Sequence, residues 1–343
     1  MSAPAFELPP GLEAQEPAEA RGLGRDGVRL LVTNLAHRTV VHARFADLPQ
    51  ILAPGDLLVV NTSATLAAAL PARREDGLEL ELHLSTPARG ADSDAHWIVE
   101  LRRGDAPFAG VEVGDRLDLP AGASAEILEP YAGVRLWLAR LDLPQTLESY
   151  LAAHGQPIRY GYVPRRWPLS AYQNVYALEP GSAEMVSAGR PFTAELITKL
   201  VAGGVLVAPI TLHTGVSSQE RHEPPYAERY RVPEETARLV NAVHEWGGRV
   251  IAVGTTAVRA LETVADRDGT VTAGEGWTEL VVTPDRGLWA IDGLLSGFHE
   301  SQSSHLDLLR AAAGEELLRR SYTAALAHGY RWHEFGDSHL ILR

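Results

Sequence analysis

Residues 247–262 read GGRVIAVGTTAVRALE. Two glycines close whatever precedes them, residues 249–253 form a largely apolar strand, and Gly254 leads through Thr255 and Thr256 into a helical pattern over 255–265. A strand that passes through glycine directly into a helix is the corner of an α/β unit. The first-turn amides of such a helix are unpaired and its dipole is positive there, so the corner suits a carboxylate or phosphate. Gly254 lets a ligand approach the backbone. Thr255 or Thr256 is expected to cap the helix, and Arg259 shares their face. The plainer reading is that the threonines only cap and that Arg259 pairs with Glu262 on the surface. This short pattern does not separate the two.

The same alternation extends outward. Strands are expected at 28–33, 39–45, 57–61 and 205–212, and helices at 193–202, 234–246, 303–313 and 315–327. Helices between strands argue an α/β domain with helices on the sheet faces. From 66 to 144 the texture changes. LELELHL (78–84) and VRLWLARL (134–141) alternate strictly, HWIVELR (96–102) and SAEILE (124–129) resemble them, and Gly, Pro and Asp separate them. Short strands without a helical period point to a small antiparallel barrel. The expected fold is therefore a larger α/β domain, residues 1–65 and 145–343, interrupted by a small antiparallel β-barrel domain at 66–144. Residues 7–27, rich in Pro, Ala, Glu and Gly, read as an extended arm over the surface rather than a packed element.

Composition narrows the function. The chain of 343 residues has no cysteine, which removes disulfides, thiolate nucleophiles and Cys-ligated metal sites. Its formal net charge of −13 argues against a broadly cationic nucleic-acid binder, though not against a local basic patch. No apolar run approaches the roughly 18 residues of a membrane helix, and the opening MSAPAFELPP lacks the parts of a signal peptide. A cytoplasmic protein without membrane association is expected.

Read together, several stretches resemble one family. They are FELPPGLEAQEPAEAR (6–21), RLLV (29–32), FADLPQILAPGDLLVVN (45–61), YQNVYA (172–177), TLHTG (211–215), residues 247–262, GFHESQSS (297–304) and YRWHEFGDSHLI (330–341). In order and spacing they are similar to the S-adenosylmethionine:tRNA ribosyltransferase-isomerases of the queuosine pathway. The resemblance implies an α/β domain interrupted by a β-barrel, with S-adenosylmethionine as substrate and tRNA as partner, and neither metal nor prosthetic group. The implied reaction moves the ribosyl part of S-adenosylmethionine onto an aminomethyl-deazaguanine in tRNA. It forms an epoxycyclopentanediol and releases adenine and methionine.

That chemistry assigns roles to candidate residues. The sulfonium acidifies the ribose C5′ position, and a histidine suits the base that removes its proton. His213 and His299 match family positions and are the base candidates, with Asp337 carried beside them as a catalytic candidate. Gly254, Thr255, Thr256 and Arg259 would hold the methionine carboxylate, with Glu262 steadying Arg259. Asp292 or Asp337 would accept from the ribose diol. Phe298 could stack on adenine, and Ser303 and Ser304 could cap the next helix and meet ligand.

Departures from the family pattern keep two further readings open. The family's AGLHFT is AGRPFT here (188–193), with Pro191 in the place of a histidine and Arg190 beside it. The NDTRV…AR pattern becomes NTSATLAAAL (61–70), with Thr62, Ala64 and Ala69 at the changed positions. Residues 216–225 lose a glycine-rich run, and Glu300, Ser301 and Gln302 replace Leu-Pro-Lys. Fewer cationic groups would fit an enzyme that uses S-adenosylmethionine on a small-molecule acceptor, or a non-catalytic S-adenosylmethionine-binding protein. Arg165, Arg166 and Trp167 could still meet nucleic acid by charge and stacking. Oligomeric state is left open.

Overall fold

The computed structural model describes residues 6–90, 95–133, 135–216, 226–300, 303 and 305–343. Among them, nine strands make one mixed sheet in the order Gly274–Thr278, Glu228–Val232, Leu206–Leu212, Leu57–Asn61, Val250–Val253, Gly293–Gly297, Ser338–Leu342, Arg29–Asn34 and Thr39–Arg44. Four neighbours, from Leu206–Leu212 to Gly293–Gly297, run parallel. Alternate residues on them enter separate cores. Leu57, Val59, Val250, Ala252 and Leu294 face the helices Glu234–Glu245, Thr255–Thr263, His305–Ala313 and Glu315–Ala327. Leu58, Val60, Ile251, Val253 and Leu295 face the opposite layer, which includes the helix Ala194–Ala202. Burial on both faces is why these strands read as unbroken apolar runs.

The second sheet closes on itself. Strands Leu136–Asp142, Ser124–Ala132, Arg116–Asp118, Ala69–Arg74, Glu79–Pro87 and His96–Arg103 pair antiparallel in that order, and the last returns to the first. This is the small barrel that interrupts the α/β fold. Leu82, Leu84, Trp97, Val99, Leu101, Leu117 and Ile127 fill it, as strict alternation requires. Residue 134, at the start of one expected run, lies outside the described residues. Next to the strand Glu179–Ser182, the strand Ser63–Thr65 pairs parallel and ties the chain entering the barrel to the chain beyond it.

Two expectations change. The arm at 7–27 is partly packed: Ala14 and Ala18 are buried, and Glu13 bridges to Trp332. Backbone bonds from Ala14 N to Trp332 O and from Trp332 N to Leu12 O hold it there. The helix expected over 255–265 stops at Thr263. Among the described residues, no helix is long and apolar enough to cross a membrane.

On the barrel's outer side, Glu100 is fully buried and accepts from Arg135 Nη1 at 2.8 Å and Arg102 Nη1 at 3.1 Å. Removing this carboxylate takes the anion away from two buried guanidiniums. Glu100→Ala is expected to cost about 3–5 kcal/mol of stability, measurable by denaturant unfolding, whereas the exposed pair partner Glu79 should cost little when replaced.

Candidate functional site

A cavity of about 750 Å³ opens at the carboxyl ends of the parallel strands, where α/β sheets commonly place ligands. Gly254 forms one corner with φ of 93°, a left-handed backbone that only glycine takes without strain. Its own amide donates to Leu295 O at 2.8 Å, which locks the corner to the neighbouring strand. The following helix therefore starts with the amides of Thr255, Thr256 and Ala257 outside its internal ladder. Neither threonine caps it: Gly254 is the N-cap and no side chain closes the end. Thr256 Oγ1 is buried without a partner. Both threonines line the cavity, so an unpaired hydroxyl and the open amides of a helix start lie together there, an arrangement that suits an anion.

Arg259 lines the cavity but is not held by Glu262, nor is it a free clamp. Its guanidinium pairs with Glu228 and donates to Leu280 O, Tyr226 O and Thr278 O, so its donors are largely spent on fastening neighbouring loops. Glu262 points away from the cavity. It pairs with Arg286 at 2.7 Å and accepts from the amides of Trp289 and Ala290. Asp292 also moves out of the site. It accepts from Val250 N at 2.9 Å and pairs with His244, which puts it at the amino end of the strand whose other end carries Gly254. A strand of that length separates the two by roughly 13 Å.

Asp337 does not line the cavity. It is 5% exposed and accepts from Arg29 N, Arg29 Nε, Arg29 Nη2 and Arg331 N, a clamp between distant chain segments. His213 lies just behind the wall formed by Thr214, Gly215 and Val216. Its Nδ1 bonds Ser63 Oγ at 2.7 Å, and the ring packs so tightly on Gly181 that a Cβ there would come within 2.4 Å. Burial holds its pKa below the usual histidine value. Phe298 lines the cavity but presents no open face to a base. His339 stacks 5.6 Å away at 2°, Trp332 lies at 4.9 Å, and Tyr322 and Tyr330 meet it edge-on.

His299 does line the cavity. Its Nε2 lies 2.9 Å from Ser296 Oγ, and burial, with His305, His333 and His339 nearby, pushes its pKa well below the ordinary value. Ser303 lines the cavity and contacts His305 rather than simply capping; Ser304, like Ser301 and Gln302, lies outside the described residues. Pro191 does not line the cavity. Its neighbour Arg190 is spent on Glu19 and Ala171 O, holding the amino-terminal arm. Arg165 stacks over Trp167 at 3.7 Å, while Arg166 pairs with Glu81.

The far end of the cavity was not anticipated. Tyr160 donates to Glu184, and Tyr162 donates to Glu334 at 2.6 Å. The ring of Tyr162 stacks on His333 at 4.0 Å. A Tyr-x-Tyr repeat at 160–162 and a glutamate inside WHEF (332–335) were the available signals, and neither means much before the fold buries them.

A family model described as queuosine biosynthesis protein matches residues 1–341. An S-adenosylmethionine:tRNA ribosyltransferase-isomerase from Symbiobacterium thermophilum is 38% identical, and one from Thermus thermophilus 36%, each over 98% of both chains. The crystal structure of an S-adenosylmethionine tRNA ribosyltransferase from Thermotoga maritima is 32% identical and matches with a TM-score of 0.55, covering 98% of this chain and 99% of that one.

The clamp at Asp337 makes a clear expectation. Asp337→Ala leaves the amides of Arg29 and Arg331 without their acceptor, although the Arg29 guanidinium keeps His328 O and Gly329 O, and should lower unfolding free energy by about 1–3 kcal/mol, while calorimetry finds ligand affinity of the folded fraction unchanged.

Proposed function

Because the chain belongs to the queuosine biosynthesis protein family, we propose that it is an S-adenosylmethionine:tRNA ribosyltransferase-isomerase. It transfers and isomerises the ribosyl part of S-adenosylmethionine onto an aminomethyl-deazaguanine in tRNA, and releases adenine and methionine. The carrying observation is the end-to-end match to relatives of that name. The cavity supports it by bringing the unpaired Thr256 hydroxyl and the half-buried His299, whose pKa burial lowers, to one lining. A tRNA substrate places the activity in the cytoplasm, and the chemistry asks for neither metal nor prosthetic group.

In this reading the methionine carboxylate lies against the amides of Thr255, Thr256 and Ala257, and Thr256 Oγ1 gains the partner it lacks. Arg259 contributes by fixing the loops around these amides rather than by gripping the ligand. His299, whose pKa burial lowers, is the base for the C5′ proton; His213 holds the wall at 214–216 and leaves the proton transfer to His299. Asp292, Asp337 and Glu262 support the scaffold. Pro191 bears less on catalysis than its position in the family pattern implies, since the cavity does not use it. The comparisons lend no support to a small-molecule acceptor or a non-catalytic binder.

Two measurements test the reading. Incubation with S-adenosylmethionine and tRNA carrying the aminomethyl-deazaguanine should release adenine and methionine in equal amounts, and release at background level overturns it. Thr256→Val keeps the shape and removes the hydroxyl. It should weaken S-adenosylmethionine binding by about 0.5–1.5 kcal/mol, while the melting temperature of the free protein stays level or rises because a buried unpaired group is gone.

A further inference from the structure

Adenine leaves S-adenosylmethionine as a neutral base only if a proton meets the departing electron pair. A donor is therefore needed in the cavity. His299 is already assigned to the C5′ proton, and burial pushes His305 and His333 down to about 4. The tyrosines hold their protons too tightly: burial raises Tyr160 and Tyr162 well above the ordinary value and Tyr172 to about 12. The pyrrolidine of Pro191 cannot donate at all.

Glu334 differs from each of these. It is half-buried where it lines the cavity, and no cation pairs with it among the described residues. Its Oε2 accepts from Tyr162 at 2.6 Å, which leaves Oε1 for a proton. The Tyr162 ring is itself held by the stack on His333, so the carboxyl is oriented rather than loose. Burial, with the Glu184 charge adding to it, raises its pKa to about 7 despite the Tyr162 bond that opposes the shift. The groups that face it are Tyr160, Tyr162, Tyr172, Glu184 and His333, with Glu13 and Glu300 beyond the His333 ring.

We propose that Glu334 is the acid that protonates adenine as it leaves. This rests on the reaction assigned above. The Glu334 Oε1–H proton passes to a ring nitrogen of the base as the C1′–N9 bond breaks. The bonding pair goes with adenine, the ribose ring oxygen supplies electrons to C1′, and Glu334 is left as a carboxylate that regains its proton from water. Adenine then occupies the Tyr160–Tyr162 end of the cavity and the methionine part occupies the Gly254 end.

The test uses the full chain with S-adenosylmethionine and the modified tRNA. Glu334→Gln still accepts from Tyr162 but carries no acidic proton. It should slow adenine release by about 10²–10⁴-fold, with S-adenosylmethionine affinity unchanged. The wild-type rate should fall as pH rises through about 7, the pKa of the donor, and Glu334→Gln should lose that limb. An analogue bearing 2-fluoroadenine, a better leaving base, should narrow the gap between the two proteins. Tyr162→Phe removes a bond that favours the carboxylate, so its limb should move to higher pH. Wild-type rate and profile in Glu334→Gln, or an unmoved limb in Tyr162→Phe, overturns the proposal. If the wild type releases no adenine, the assigned reaction fails, and binding of free adenine judges the acid independently. Affinity should then drop through pH 7 in the wild type and not in Glu334→Gln, and a flat wild-type profile overturns it.

Discussion

The bond from Gly254 N to Leu295 O fixes the geometry on which the site depends. It joins the end of one buried parallel strand to its neighbour at the point where the chain turns into a helix. Because Gly254 takes a left-handed backbone, the helix begins at once, and Thr255 and Thr256 of its first turn line the cavity. The neighbouring strand then delivers Ser296, Phe298 and His299 to the same rim. Two-sided burial of these strands keeps the rim rigid, since a slip by one residue would exchange the two cores on either face.

The remaining walls come from elsewhere in the chain. Segment 158–162 brings Tyr160 and Tyr162, the stretch after Leu206–Leu212 brings Thr214 to Val216, and the arm brings Glu13. The barrel's outer side meets this assembly through Ser85, whose Oγ accepts from Val216 N at 3.0 Å. Arg102 likewise lies under the ring of Tyr160. The buried ions around Glu100 therefore sit one layer behind the tyrosine end of the cavity. One end of the cavity is polar backbone and hydroxyl; the other is carboxyl and aromatic.

Much of the architecture could be read before any coordinates. Runs such as 250–253 and 57–60 are apolar at every position because both faces are covered, and 78–84 alternates because one face of a barrel strand turns inward. The corner at Gly254 was visible as a local pattern. What could not be read was the pairing of charges across the fold. Arg259 takes Glu228 rather than the helix neighbour Glu262, because the sheet edge carrying Glu228 packs over that helix face. Asp292 and Asp337 look like ligands in a line of text, but each sits where backbone amides or an arginine need an acceptor. Glu334 shows the converse: an unremarked carboxyl in sequence becomes the unusual one once burial removes its water.

The strand Ser338–Leu342 lies inside the large sheet, between Gly293–Gly297 and Arg29–Asn34. While the ribosome is still making this segment, the hairpin of Arg29–Asn34 and Thr39–Arg44 has no strand joining it to the rest of the sheet, and the rim bearing His299 lacks its flank. The pocket consequently assembles only once residues 338–342 have been made. A truncated nascent chain would expose unpaired strand edges to chaperones, without the means to consume a reactive sulfonium.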